Sequence, residues 1–370
     1  MTILKLQRQT GVALITVMLV VAIAVVLATK MSSALIFQIQ RTDNLNSNQQ
    51  AYWYAMGAEA FAKSVLTLSF KEKDDKAVTH LGQPWASGET SFPVDLGTIS
   101  GEITDMHACF NLNSLINKKQ NNDEQGNVPG SNPDENEPPE EDDKQGGSNK
   151  PPGNTGSSGK VIENKAKVAF IELINLLNID GIGSFEAESM AEALIDWLDE
   201  DSSIASAGGA EDNDYAAKEY PYLAANSLLA SVNELRLIEH FTPQVIFALK
   251  DYVCVIPNSD THKININTID EENIELLQAL LGGVDASAAE EIFSERGEEG
   301  FKDISEFTSL PAVKSLKDFS QFKQQFVVDS EYFKLTTKTS FNDSYFSMNS
   351  IMKINKDETI SVVNRSIGVN

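Results

Sequence analysis

The stretch RQTGVALITVMLVVAIAVVLATK, from Arg8 to Lys30, decides how the rest of the chain is interpreted. Arg8 and Lys30 enclose 21 uncharged residues, nearly all apolar. A helix of this length, at about 1.5 Å per residue, just crosses the roughly 30 Å hydrocarbon core of a bilayer. A cleaved secretory signal has a shorter apolar region, of about 7–15 residues, and ends at a small-x-small site. The run therefore predicts a membrane helix, and Lys5 and Arg8 before it predict a cytoplasmic N-terminus with most of the chain outside the cytoplasm.

The overall composition narrows the classes of function. The chain has 370 residues and a formal net charge of -25, with room for about two domains beyond the apolar run. Affinity for nucleic acid comes largely from basic side chains that meet phosphates, so this charge argues against a nucleic-acid partner. The two cysteines, Cys109 and Cys254, lie in the part predicted to be outside the cytoplasm, and a disulfide between them is the favoured interpretation. Two unpaired buried thiols are the alternative.

The helical pattern continues beyond the apolar run. Residues 31–70 contain no proline, and Gly57 is their only glycine. Apolar residues recur there at helical spacing from Leu35 to Leu68. We therefore predict one helix over residues 12–70, about 85 Å long, with an apolar first half and an amphipathic second half.

Segments of β type stand at two distant places in the chain. Two short extended pieces are predicted within residues 92–104. Near the C-terminus, YFKLTTKTSF, SYFSMNSIMKIN and TISVVNRSIGVN are separated by turn-forming residues around Asn342 and Asn355. We expect regions 71–110 and 327–370 to form one antiparallel sheet that packs on the long helix.

Residues 111–326 lie between these two regions and carry a different pattern. Residues 118–160 are almost all polar or turn-forming, with Val128 the only aliphatic residue, which predicts a disordered loop. Helical periodicity then fills two blocks, 161–253 and 262–326. The predicted helices are 161–179, 186–199, 226–239, 243–251, 268–281, 285–296, 303–309 and 315–325. The sequence thus predicts an α+β fold with a large inserted all-α domain.

The start of the apolar run resembles a known processing site. Gly11 is followed by ValAlaLeuIleThr, after basic residues and before a long apolar helix, as in the type IV prepilin class. Further segments, in order along the chain, narrow the resemblance to the K-type minor pseudopilins of the type II secretion system. These segments are CFNLNSL at 109–115, LIDWLDED at 194–201, GGAEDNDY at 208–215, PYLAANSLL at 221–229, SVNELRLI at 231–238 and ININT at 264–268.

The resemblance implies a type IV pilin-like fold and a subunit without catalytic residues. It implies that a prepilin peptidase removes residues 1–11 by cutting after Gly11, and that the new N-terminal residue, Val12, is methylated. The retained helix then forms a single pass in the bacterial inner membrane, with the bulk of the chain in the periplasm. Residues of this membrane helix are Val12, Leu14, Thr16, Leu19 and Val26.

The same resemblance implies partners and a place in an assembly. The partners are minor pseudopilins of the I, J and H types and the major pseudopilin of the G type. The implied place is the tip of the pseudopilus, where the subunit starts assembly and supports export of folded proteins from the periplasm across the outer membrane.

One position departs from the wider pilin class. Pilins and major pseudopilins carry Glu at the fifth position after the cut, which is Thr16 here. In that class the Glu pairs with the terminal amine of a neighbouring subunit, and a carboxylate inside a membrane is costly unless it is paired. A subunit with no neighbour above it meets no such amine, so Thr16 suits the tip. A tolerated small residue is the alternative.

Acidic residues gather in two groups, within 196–201 and within 211–214, on either side of a glycine-containing connection. Calcium takes about 6–8 oxygen ligands, commonly from carboxylates. The segment is not an EF-hand, because Ile204 stands where the sixth-position glycine is required. The residues alone favour a solvated helix end over a metal site, whereas the resemblance implies one or two structural calcium ions. The expected ligands are Asp199, Asp201, Glu211 and Asp212, with Asp196 and Asn226 as further candidates.

The segments after ININT look like a helix-hairpin-helix unit, a motif that often holds DNA phosphates. Residues 262–318 contain 13 acidic and 5 basic residues, a balance that repels phosphate. We therefore expect a packing module without nucleic-acid binding.

Two functions other than a pseudopilin are less consistent with the sequence. A minor pilin of a type IV pilus is disfavoured by the inserted domain and by the LIDWLDED and GAED segments. A membrane-anchored periplasmic metal-dependent hydrolase lacks support, because no histidines pair at ligand or catalytic spacing. The four histidines are His80, His107, His240 and His262.

Overall fold

The computed structural model describes residues 12–71, 78–116, 164–316, 319–342 and 344–368. The cleavage site predicted at Gly11 and the loop predicted over 118–160 lie outside the described residues.

The chain opens with α1 (Val12–Lys71), a helix of 60 residues and roughly 90 Å. Residues 12–46 are exposed along their whole length. The second half is amphipathic: buried positions follow one another three or four residues apart, the spacing of a single helix face. These positions are Ala51, Ala55, Glu59, Ala62 and Leu66. The predicted long helix is confirmed to within one residue of its C-terminal end.

The buried face of α1 packs on a five-stranded antiparallel sheet of order β1-β2-β7-β8-β9. The strands are β1 (Thr90–Val94), β2 (Gly97–Asp105), β7 (Tyr332–Phe341), β8 (Ser344–Ile354) and β9 (Ile360–Ile367). Four shorter strands, introduced below as β3 to β6, lie between β2 and β7 in the chain. The expected sheet from two distant parts of the chain is therefore confirmed.

A small apolar core joins the helix to the sheet. Leu66 and Trp85 pack there against Phe333 and Met352. Burial of such a side chain stabilises the fold by about 1.5–3 kcal/mol. A buried carboxylate adds a polar link: Glu59 of α1 accepts two hydrogen bonds from the Arg365 guanidinium of β9, at 2.6 and 2.9 Å.

Helices fill the part of the chain between β2 and β7. They are α2 (Lys165–Leu176), α3 (Ser184–Leu198), α4 (Asp212–Ala216), α5 (Pro243–Leu249), α6 (Ile274–Leu280), α7 (Ala286–Arg296), α8 (Ile304–Ser309), α9 (Pro311–Lys314) and α10 (Phe319–Phe322). They enclose the largest apolar core of the described chain, around Phe110, Phe170 and Phe307. The α+β class, with a pilin-like part and an inserted helical part, is confirmed, while the boundaries at 111 and 326 stay a prediction.

Two predicted helices are wrong. Residues 226–239 form only a 3-10 turn at Val232–Leu237, because Asn226 has a left-handed backbone (φ 46°) and Leu229 is held in an extended segment by Asn113. Residues 315–325 break into α10 and a 3-10 turn at Lys323–Gln325. The other predicted helices begin and end within a few residues of their predicted bounds. The exception is the helix predicted from residue 268, since α6 starts only at Ile274, after a 3-10 turn.

Two short parallel strand pairs were not predicted. β3 (Phe110–Asn111) pairs with β4 (Val253–Cys254), and β5 (Ile264–Asn265) pairs with β6 (Phe326–Val327). Strands of two residues carry no periodicity that a sequence pattern can reveal.

An asparagine pair follows the strand β3. The Asn111 Oδ1 accepts from the Asn113 backbone N–H at 3.3 Å, and the Ser114 hydroxyl donates to the Asn111 carbonyl at 2.6 Å. Asn113 then clamps the backbone of Leu229 from both sides: its Nδ2 donates to the Leu229 carbonyl, and its Oδ1 accepts from the Leu229 N–H.

The same arrangement recurs after β5. The Asn265 Oδ1 accepts from the Asn267 N–H at 3.0 Å. The Thr268 hydroxyl lies 3.3 Å from the Asn265 carbonyl and shares its proton between that carbonyl and Asp105 Oδ2, which is 2.6 Å away. Asn267 clamps Phe301 through its Nδ2 and Oδ1, at 3.0 and 2.7 Å. The two Asn-x-Asn-Ser/Thr segments therefore make equivalent hydrogen bonds, and the inserted part contains this local structure twice.

The cysteines form a disulfide. Cys109 and Cys254 have Cα atoms 5.8 Å apart and a sequence separation of 145 residues. In the chain-entropy model, closing a loop of this length stabilises the fold by about 4–5 kcal/mol.

Candidate functional site

The end of α3 and the start of α4 place the acidic residues together. Asp196 lies in the last turn of α3 and is fully buried, and Asp199 caps the helix. Glu211, at the N-cap of α4, is also buried, and its backbone N–H donates to Asp214 Oδ2 at 3.0 Å. The connection between the helices therefore folds back over Asp196.

Asp199, Asp201 and Glu211 form a group that could hold a metal ion. One carboxylate oxygen from each lies within 4.8 Å of the others. Such a cluster of hard oxygen donors suits calcium rather than zinc, which prefers nitrogen and sulfur.

Neighbouring oxygens fit the same interpretation. Both carboxylate oxygens of Glu211, the Oδ2 of Asp196 and the Oδ1 of Asn226 are buried and accept no hydrogen bond from the described protein. A buried acceptor without a partner costs about 1–3 kcal/mol, and more when it is charged. A cation with a high coordination number would relieve several of these costs at once.

The electrostatics of the site also favour a cation. Burial, and then the charges of Asp196 and Asp199, raise the pKa of Glu211 to about 7. Burial raises the pKa of Asp196 to about 6, although a hydrogen bond from Ala205 opposes the shift. The carboxylates repel one another in a partly desolvated site, and a divalent ion would reverse that balance.

Two glycines let the connection approach α3. A Cβ atom at Gly209 would lie 1.9 Å from Asp196 Oδ2, and one at Gly208 would lie 2.7 Å from the Ser189 Cα. These glycines belong to the GGAEDNDY segment, so the backbone must pass close to the buried carboxylate.

Two further expected ligands, Asp212 and Asn226, lie outside the group of three. The Asp212 Oδ1 accepts a hydrogen bond from the Ala224 N–H at 3.0 Å, and Asp212 does not belong to the group of three. Asn226 contributes a buried side-chain oxygen. The structure thus brings together three of the four leading candidates, with Asp196 beside them.

An aromatic cluster of Trp197, Tyr215 and Tyr222 lies next to the acidic site. It was not predicted from the sequence. The rings of Trp197 and Tyr215 have centroids 5.1 Å apart, and Tyr215 stacks on Tyr222 at 5.4 Å. The Lys218 ammonium lies over the Tyr215 ring and pairs with Glu239. The helical spacing of Tyr215 and Lys218 was the signal that could have indicated it.

The apolar half of α1 forms a second functional region. Val12, Leu14, Leu19 and Val26 are each more than half exposed, with no side chain of the described protein covering them. The Thr16 hydroxyl donates to the Ala13 carbonyl at 2.9 Å and so satisfies itself within the helix. Among the described helices, α1 alone is long and apolar enough to cross a membrane.

The amphipathic half of α1 carries an apolar stripe as well. Trp53, Phe61 and Leu68 are spaced to share one helix face and are 58%, 57% and 56% exposed. Beside the stripe, α1, the turn at Trp85 and the β1–β2 hairpin enclose a half-open groove of about 410 Å³. None of the described side chains that line it is ionisable.

Two family models, both described as type II secretion system (T2SS), protein K, match residues 108–258 and 264–329. Type II secretion system protein K of Aeromonas hydrophila is 32% identical over 366 residues, which is 98% of both chains. The protein of that name from Dickeya chrysanthemi is 33% identical over 364 residues, again 98% of both. The chain belongs to the type II secretion system protein K family. The chain has the pilin-like fold of this family, and its role is that of a minor pseudopilin in type II secretion.

A solved structure agrees with the family. The chain is similar to one in the crystal structure of the GspK-GspI-GspJ complex from the enterotoxigenic Escherichia coli type 2 secretion system. The TM-score is 0.70 at 29% identity, and the match covers 89% of this chain and 100% of that one. The match to protein K therefore spans the helix, the sheet and the inserted helical part.

Proposed function

We propose that this protein K family member stands at the tip of the type II secretion pseudopilus, starts its assembly and supports export of folded proteins across the outer membrane. The observation that carries the proposal is the combination of an uncovered α1 with a bulky inserted domain. Residues 12–46 expose apolar surface that the chain itself leaves uncovered, which suits a membrane first and neighbouring helices later. The inserted domain widens the head, so it leaves no room for a further subunit above.

Partners of the I and J types follow from the similarity to the GspK-GspI-GspJ complex. We extend the proposal to the H-type minor pseudopilin, the G-type major pseudopilin and the prepilin peptidase, which would cut after Gly11 before Val12 is methylated. Lys5 and Arg8 support a cytoplasmic leader, an inner-membrane pass and a periplasmic head. Thr16 supports the proposed position at the tip, because its hydroxyl is hydrogen-bonded within its own helix and needs no amine from a subunit above.

The exposed stripe of α1 and the adjoining groove supply the partner surface. Helices approach closely where small residues stand, and Gly57 and Ala58 line the groove next to Phe61. The edge of the Phe61 ring meets Phe92 of β1, with centroids 5.8 Å apart, so the groove wall is preformed.

We predict that filling the groove weakens the complex. Ala58→Trp places a large side chain where a partner would pack, whereas Ala286→Trp puts the same residue at the exposed start of α7. The full chain is co-expressed with the I- and J-type minor pseudopilins of its own system and purified in mild detergent. The native chain and Ala286→Trp should retain both partners, and Ala58→Trp should lose them. Absence of a complex with the native chain would refute the proposed partners.

We further infer a structural calcium ion held by Asp199, Asp201 and Glu211, with Asp196 and Asn226 as additional donors. The close approach of the three carboxylates, and the buried oxygens of Glu211, Asp196 and Asn226 that accept no hydrogen bond from the described protein, support this inference. When bound, the ion would neutralise the cluster and fix the connection between α3 and α4, which has little apolar core of its own.

We also infer a non-enzymatic role. Burial lowers the pKa of His262 to about 4, and its ring nitrogens face Gln325 and Ser114 at 2.8 and 3.3 Å. This neutral histidine packs against Phe110 and serves the core.

A further inference from the structure

A buried carboxylate lies where the inserted domain joins the sheet. The chain crosses between the two parts twice, after β2 and before β7. Asp105, the last residue of β2, is only 6% exposed and stands at the first crossing.

Four hydrogen-bond donors converge on Asp105. Its Oδ1 accepts from the His107 backbone N–H at 2.8 Å. Its Oδ2 accepts from the hydroxyls of Thr268 and Ser330, at 2.6 and 2.5 Å, and from the Asn265 Nδ2 at 3.3 Å. His107 belongs to the first crossing, Ser330 to the second, and Asn265 and Thr268 to the inserted domain.

Backbone contacts close the same junction. The Met106 N–H donates to the Tyr332 carbonyl and the Asn265 N–H donates to the His107 carbonyl, both at 2.9 Å. The chain after α1 joins as well, because the Thr79 carbonyl accepts from the Asn265 Nδ2 at 3.1 Å. Every segment that meets at the junction is therefore bonded to Asp105 or to one of its donors.

We propose that Asp105 is a positioning residue that fixes the inserted domain relative to the sheet and α1, so that the head is carried as one rigid body on the stalk. A buried carboxylate is stable only while its donors converge, and a rotation of the head would carry Thr268 and Asn265 away from it. Loss of the carboxylate removes the acceptor of the His107 N–H and of the Ser330 hydroxyl and breaks the 2.6 Å bond from Thr268, which favours an opened junction. The link from the sheet to the stalk is the Glu59–Arg365 pair.

The proposal is tested by a distance between stalk and head. Spin labels are attached to the full chain in detergent at Ala60→Cys on α1 and Ser294→Cys on α7, both exposed positions. The native cysteines are held in the disulfide and take no label. The native junction should give one narrow distance distribution by pulsed electron spin resonance, and Asp105→Ala should lose that narrow peak.

The control removes a clamp that lies wholly inside the head. Asn267→Ala deletes the two bonds to Phe301 and should keep the narrow peak, because the junction is intact. Broadening of the same size in this control would overturn the proposal in favour of general softening.

A second variant keeps the test decisive if Asp105→Ala does not fold. Thr268→Ala with Ser330→Ala removes two hydroxyl donors and leaves the carboxylate in place, and it should broaden the distribution relative to the native junction. A distribution as narrow as the native one in the double variant, or in a folded Asp105→Ala, would overturn the proposal.

Discussion

Glu211 is the residue of the acidic site whose ionised form is most strongly disfavoured. Its carboxylate is buried at the N-cap of α4, close to Asp196 and Asp199, and its pKa is raised to about 7. A helix N-terminus favours an anion, but burial and two neighbouring carboxylates outweigh that effect. This residue is therefore the most sensitive reporter of a bound cation.

We predict that calcium stabilises the chain through this residue. Calcium in about 100-fold excess over its dissociation constant should add about 2.7 kcal/mol to the free energy of unfolding. Glu211→Gln should abolish the gain, and Glu219→Gln, an exposed carboxylate nearby, should keep it. The measurement is thermal unfolding with calcium and with excess chelator; identical curves for the native chain would contradict the site.

The metal-free chain should also lose stability as pH rises. A carboxyl group with a raised pKa binds more protons in the folded state, so stability falls from pH 4.5 to about 7 for Glu211 and from 3.8 to about 6 for Asp196. Denaturant titrations in chelator across this range should show the slope, and Glu211→Gln should reduce it. A native stability that rises over the interval would contradict the assignment.

Among the elements, the long helix α1 depends on a buried ion pair at Glu59 as well as on its apolar face. Glu59 accepts hydrogen bonds from Arg365 and from the Ser350 hydroxyl, and these contacts outweigh burial and lower its pKa to about 2. The link ties the stalk to β8 and β9 at the edge of the sheet.

We predict that Glu59→Gln lowers the free energy of unfolding by about 2 kcal/mol, the usual size for losing hydrogen bonds to a charged group. The matched control is Glu89→Gln, whose carboxylate pairs with Lys338 on the exposed surface and should cost much less. Urea titrations at neutral pH compare them, and equal losses would refute the special role of Glu59.

The elements also show which parts of the fold can be predicted from the sequence. α1, the sheet strands and most helices could be predicted, because their apolar periodicity runs over many residues. The predicted helix at 226–239 failed because Asn113, more than 100 residues away, holds Leu229 through two backbone hydrogen bonds. The acidic residues were visible as a pattern, whereas the hydrogen bond from the Ala224 N–H to Asp212 Oδ1 was not, and Asp212 as a ligand stays a prediction.

At the scale of the whole molecule, three structural parts are joined in series. The apolar half of α1 anchors the chain, the sheet packs on its other half, and the helical head is tied to the sheet through Asp105 and closed by the disulfide. The formal charge of -25 is compatible with a solvated surface and with a cation in the head.

The position of the chain in the filament tests the central claim most directly. Pseudopili are lengthened by overproducing the major pseudopilin of the same system, and the inserted domain is labelled with a gold-conjugated binder for electron microscopy. The account predicts one label at one end of each filament. Labels spread along the filament length would contradict it.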